Sequence, residues 1–253
     1  MILLYDNCYM NLNSENNNDE NTAYTRACEL SNLSLSHEEM MGLLKNGNIP
    51  EKQFAALMLD CINSIDEGKI LIGNLTGCDG KIRESVALKI NNLLTENKNM
   101  ANYLNFPEIF ALASIDINSN ICRLVIDSVD IMKDLPDFKE KYLNIILKYI
   151  EETFRALDKF IYRDKKYVIN KQLFKLYWCL ESLKLFVKDI EKNKLFEILA
   201  RAAEEKEYTI REKVAQILNL INDRIFFDLK EKLRKDENYY VREALGNSNF
   251  ADL

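Results

Sequence analysis

The chain has 253 residues, 47% of them hydrophobic and 29% charged, with a formal net charge of −6 and a pI of about 5.1. This balance excludes wholesale disorder, and the acidity argues against non-specific affinity for nucleic acid. Only seven Gly and three Pro are present, too few for a chain of short strands and tight turns, so helices are expected.

The first residues, Met1-Ile-Leu-Leu-Tyr-Asp6, lack a basic start and a long apolar run, so they do not read as a secretory signal. No apolar stretch approaches the roughly 18 residues of a membrane span. The six cysteines (Cys8, Cys28, Cys61, Cys78, Cys122 and Cys179) lie at least 17 residues apart, without metal-ligand spacing. They are expected to be reduced and buried, which implies a cytoplasmic setting. No metal and no cofactor is called for.

Residues 1–22 pass into Asn11-Leu-Asn-Ser-Glu-Asn-Asn-Asn-Asp-Glu-Asn21, a tract with too little apolar area to offset its ordering entropy and therefore expected as a flexible arm. A helical body is expected over 23–246. Ser36-His37-Glu38-Glu39 is a capping box; it opens a helix carrying Met40, Leu43 and Leu44 that stops near Asn46-Gly47. Pro50 suits a first turn and opens the next helix, with Phe54, Leu57, Met58, Cys61, Ile62 and Ile65 inside. A short helix is expected over Lys69–Leu75, and Asp79 then leads into Ile82–Leu94.

Phe106-Pro107 begins a helix through Ile115, and Asn118 leads into Ile121–Met132. Pro136 opens the longest pattern, reaching about Tyr162. Further helices are expected from Tyr167 to Val187, Ile190 to Glu204, Glu207 to Ile221, 224–235 and Tyr240–Leu245, with a frayed end over 247–253. No segment sustains a period-two alternation, so the fold class is all-α.

The second helix of each pair repeats. Glu51, Ile82, Ile121, Ile169, Ile210 and Val241 align at spacings of 31, 39, 48, 41 and 31 residues, with apolar or small residues four, five and eight positions later. Two helices per period of about 40 indicate a solenoid, because one pair cannot bury its own apolar face. Asp79-x-x-Ile82-Arg83, Glu207-x-x-Ile210-Arg211 and Asn238-x-x-Val241-Arg242 resemble the Asp-x-x-Val-Arg opening of the second helix in HEAT repeats. Elsewhere the Arg is replaced, by Cys122 and Asn170, and Lys52 only approximates it. The resemblance implies a right-handed superhelix of about six helix pairs that binds a protein partner along a curved face. It also implies that the acid and the Arg form a ladder between neighbouring units.

For function, the informative feature is charge. Residues 155–175 hold seven bases (Arg155, Lys159, Arg163, Lys165, Lys166, Lys171 and Lys175) against Asp158 and Asp164, a net of +5. Arg155, Lys159, Arg163 and Lys166 share a face if the helix continues, and Lys171, Lys175 and Trp178 share the next one. A basic face with an aromatic suits phosphate contact and base stacking; a solvated face with the aromatics turned inward is the plainer reading. No GxSxG, P-loop, HExxH or GxGxxG pattern occurs, and the single histidine, His37, sits in an exposed first turn. The expectation is therefore a non-enzymatic protein-binding scaffold. The alternatives are a nucleic-acid-binding solenoid using 155–175 or, from the resemblance, an enzyme such as a DNA glycosylase or a bilin lyase. Oligomeric state is left open by the sequence.

Overall fold

The computed structural model describes residues 25–26, 28–159 and 166–246. The arm 1–22, Cys8, the end 247–253, Arg163 and Lys165 lie outside the described residues. Among the described residues the regular elements are all helical. The chain divides into two compact units, residues 1–138 and 139–253. Each is built from consecutive helix pairs.

The first unit contains α1 (His37–Asn46), α2 (Ile49–Met58), α3 (Ile65–Gly73), α4 (Gly80–Glu96), α5 (Pro107–Ala113) and α6 (Ser119–Met132). Except for α5, which opens at Pro107 without a side-chain cap, each helix starts where the sequence supplies a partner for its orphan amides. Ser36 accepts from the Glu39 amide, while the Glu39 carboxylate accepts from the Ser36 amide at 2.7 Å. Asn48 and Glu51 form the same reciprocal box ahead of Pro50. Ser64, Asp79 and Asn118 cap α3, α4 and α6. The paired first and second helices pack together, and the second helices stack in order, α2 on α4 and α4 on α6.

The stack is sealed by residues at helical spacing. Val86, Ala87, Ile90, Leu93 and Leu94 of α4 and Ile121, Val125, Val129 and Met132 of α6 are all buried, and the two helices pack on each other. Each large aliphatic side chain so buried contributes about 1.5–3 kcal/mol. Polar contacts fix the register: Glu84 on α4 accepts from Asn118 at 3.3 Å and from Asn120 at 3.0 Å at the start of α6.

Two sequence expectations change here. In α1 it is Met41, not Met40, that is buried with Leu44. The helix opened by Pro50 does not run on through Ile65: it ends at Met58, Leu59 is extended, and Ser64 restarts the chain as α3. Leu57, Met58 and Ile65 are accordingly 45%, 53% and 54% exposed, while Leu59 and Ile62 take the buried positions.

The second unit contains α7 (Pro136–Lys159, entered from the first unit), α8 (Lys166–Lys184), α9 (Lys192–Ala202), α10 (Tyr208–Asn219), α11 (Phe227–Arg234) and α12 (Tyr239–Ala244). Here too the second helices stack, α8 on α10 and α10 on α12. Ile210, Val214, Ala215, Ile217 and Leu218 form the buried face of α10, as the spacing predicts. The Tyr142 hydroxyl donates to Ser182 Oγ at 2.9 Å, closing α7 on α8.

Among the described residues no helix is long and apolar enough to cross a membrane. Cys122 and Cys179 are buried free thiols, and burial pushes the Cys179 thiol up to about 12, which makes it unreactive. Cys28 and Cys61 are half-buried and free. Cys78 is exposed and disulfide-bonded, which corrects the expectation of six reduced, buried cysteines.

Gly68 marks the tightest approach in the first unit: a Cβ placed there would stand 2.0 Å from the carbonyl oxygen of Tyr103, a backbone atom. Gly73, in the same helix, has open space around the same position. Gly68→Ala is expected to destabilise the chain by about 1–3 kcal/mol, read as a lower urea midpoint, while Gly73→Ala leaves it unchanged or slightly raised.

Candidate binding surface

Two of the described junctions between second helices, α4 with α6 and α10 with α12, are built on an arginine. Arg83, one residue past Ile82 on α4, is 3% exposed. Its Nε and Nη2 donate to both carboxylate oxygens of Asp116 at 2.7 and 3.2 Å, and its Nη1 donates to the carbonyls of Gly77 and Cys78 at 2.8 and 2.9 Å. Arg211 on α10 repeats this with Asp236, at 2.7 and 3.0 Å, and with the carbonyls of Glu205 and Lys206, both at 2.8 Å. Arg242 on α12 donates to the carbonyls of Asp236 and Glu237.

The acid in each pair is not the helix-capping residue. Asp79 caps its own helix by accepting from the Ile82 amide, and Asn238 accepts from the Tyr240 amide. Glu207 makes no cap bond and accepts instead from the Thr209 hydroxyl at 3.4 Å. The arginine takes the aspartate two residues ahead of the next unit's cap. There Asp116 also accepts from the Asn118 amide and Asp236 from the Asn238 amide, both at 2.8 Å. Sequence reasoning passed over both aspartates, although Asp-x-Asn at 116–118 and 236–238 was visible as a signal.

Burial opposes the ionisation of Asp236, but the hydrogen bonds from Arg211 and the Asn238 amide outweigh it and hold its carboxyl below the usual range. The hydrogen bond to Asp236 raises Arg211 above its ordinary value.

The basic segment is less open than its count of bases suggests. Arg155 is exposed and lies 3.6 Å from Glu151; Lys175 lies 3.8 Å from Glu152 and 4.3 Å above the Tyr149 ring. The compensating acids precede the segment by one turn of α7. Lys194 of α9 also reaches Glu151 at 3.5 Å, and Arg201 pairs with Asp158 while lying 4.7 Å over the Phe154 ring. Lys159 and Lys171 are exposed and have no ion pair among the described residues. Lys166 is the first residue of α8.

Trp178, grouped by spacing with Lys171 and Lys175, is only 7% exposed and packs edge-on against Phe174 and Tyr177, with ring centroids 6.1 and 5.1 Å away. It offers no open stacking face.

Between α8 and α10 lies a polar cluster the sequence did not announce. Lys213 Nζ reaches Glu181 Oε2 at 2.5 Å and sits 4.7 Å over the Tyr177 ring, and Lys184 donates to Glu181 at 3.0 Å. Burial opposes both charges, yet the mutual hydrogen bonds leave Glu181 below and Lys213 above their ordinary values. In the first unit, His37 Nε2 stands 3.0 Å from Glu67 and 3.1 Å from the Asn63 amide nitrogen, an inter-helix tie.

No family model matches the chain, and no curated protein matches it in sequence. Among solved structures the chain is similar to a designed armadillo repeat protein, at 11% identity and a TM-score of 0.42, over 83% of this chain and 96% of that one.

The Arg211–Asp236 geometry has a pH signature. A carboxyl depressed in the native state adds stability above its unfolded value, about 3.9 for aspartate, and that stability is lost as pH falls through the lower native value. Asp236→Asn is expected to cost about 2–3 kcal/mol at neutral pH. Urea unfolding across acidic pH should show the gap to wild type narrowing below about pH 4.

Proposed function

We propose that the chain is a non-enzymatic helical-repeat scaffold that binds a protein partner across the outward faces of its second helices. The observation that carries this reading is a matched pair of exposed leucines. Leu57 on α2 and Leu88 on α4 each lie nine residues past their capping residue, Asn48 and Asp79, and are 45% and 40% exposed. Because α2 and α4 pack side by side, equal register puts both apolar groups on one stripe, bordered by polar Gln53, Glu84 and Asn92. An apolar stripe with a polar rim suits a folded or helical protein segment better than a polyanion.

The nucleic-acid reading has less to draw on. Its aromatic, Trp178, is buried, and Arg155 and Lys175 already have carboxylate neighbours. For a cytoplasmic setting the support is the four thiols outside any disulfide among the described residues, with the disulfide at Cys78 weighing against it.

Panning a random peptide library on the pure chain, with hydrogen exchange to locate bound peptides, tests the proposal. Enriched peptides are expected to protect α2 and α4 and to lose about tenfold in affinity on Leu57→Asp with Leu88→Asp. Absence of any enriched peptide, or protection confined to α1 and α3, would contradict it.

A further inference from the structure

The arginine junctions of the second unit leave one acid without its arginine. Asp116 and Asp236 stand two residues ahead of the caps Asn118 and Asn238, and each receives an Arg from the preceding second helix. Glu205 stands at the same place, two residues ahead of Glu207, the capping position of α10. The preceding second helix is α8, where Ile169 is followed by Asn170 instead of Arg. Asn170 is exposed, in contrast to buried Arg83 and Arg211.

The Glu205 carboxylate has no hydrogen bond or ion pair among the described residues. It is half-buried, and that burial pushes its carboxyl above the usual range. It lines an open depression with Glu204, Lys206, Arg211, Lys232, Asp236 and the exposed Glu237. The cations there are committed elsewhere: Arg211 to Asp236 and two carbonyls, Lys232 to Glu204, and Lys206 carries its own contact. Nearby Arg201 is held by Asp158.

The two turns that line the depression run straight into α10 and α12, whose first residues are Tyr208 and Tyr239. Tyr208 stacks on Tyr240 at 6.2 Å, Tyr239 meets Tyr240 edge-on at 5.6 Å, and the three rings are 37%, 58% and 58% exposed.

We propose that Glu205 and this tyrosine cluster receive an arginine side chain from a basic segment of the protein partner. The chemistry is that of the chain's own junctions: a guanidinium matches a carboxylate in two parallel hydrogen bonds, and its flat face packs on aromatic rings. A lysine supplies the charge but neither the fork nor the plane. The acceptor is partly dehydrated, so it gains more from an arriving cation than a fully solvated carboxylate does. The inference rests on the protein-binding reading and names the partner chemistry for one of its contacts.

Fluorescence anisotropy with three labelled peptides, alternating Gly with Arg, Lys or Glu, tests it on the full chain. The Arg peptide is expected to bind tightest, with affinity falling as salt rises. Glu205→Gln should weaken it by about tenfold, and Tyr208→Ala with Tyr240→Ala should weaken it as well. Glu96→Gln, an exposed acid in the other unit, should leave it unchanged. Asn170→Arg, which returns the guanidinium from within the chain, should reduce binding as Glu205→Gln does.

No binding of the Arg peptide, or an affinity indifferent to both Glu205→Gln and Asn170→Arg, overturns the inference. If non-basic library peptides still protect α2 and α4, the scaffold reading survives that failure; if no library peptide binds, both fall.

Discussion

The buried pairing of an arginine with an aspartate from the next helix pair is the constraint from which each unit's order follows. Arg83 joins α4 to the turn before α6, and Arg211 joins α10 to the turn before α12. All three nitrogens of each guanidinium donate, Nε and Nη2 to carboxylate oxygens and Nη1 to two backbone carbonyls. Burying a charge is costly unless it is paired and hydrogen-bonded, and these four bonds allow the pairs to sit inside. The aspartate is fixed in turn by the amide of the capping asparagine. One interaction thereby links the end of a first helix, the cap of a second and the side of the preceding unit.

Apolar packing supplies the bulk of the stabilisation, but it is tolerant of small slides along a helix. The arginine pairs are not, because a bidentate bond fails within about an ångström of misplacement. Polar ties such as Glu84 with Asn118 and Asn120, or Lys213 with Glu181, serve the same end. Surface charges behave differently. Arg155, Lys175, Lys194 and Arg201 are spread over α7, α8 and α9 with Glu151, Glu152 and Asp158 among them, which lowers the local field a polyanion would meet.

Much of the fold was legible in the sequence. Capping residues and periodic apolar positions gave nearly every helix, because both act within one or two turns. The Ile82-Arg83 and Ile210-Arg211 motifs were visible for the same reason. The partners of those arginines were not, since they lie 33 and 25 residues away and no local rule selects Asp116 or Asp236 over nearby acids. The end of α2 was missed because Cys61, Ile62 and Ile65 keep a helical spacing; only Ser64 as a cap for α3 contradicts it. Trp178 was grouped with lysines on spacing alone, which gives a face but not its orientation. The basic count over 155–175 omitted Glu151 and Glu152, one turn earlier and in reach of Arg155 and Lys175.

A double-mutant cycle on Arg83 and Asp116 bears most directly on whether the junction pair organises the stack. Arg83→Met, Asp116→Ala and the double variant would be compared with wild type by urea unfolding. Loss of either partner strands the other, so each single variant should cost as much as the double, giving a coupling of about 2 kcal/mol or more. Additivity within about 0.5 kcal/mol would mean the two residues act independently and the pairing does not organise the stack.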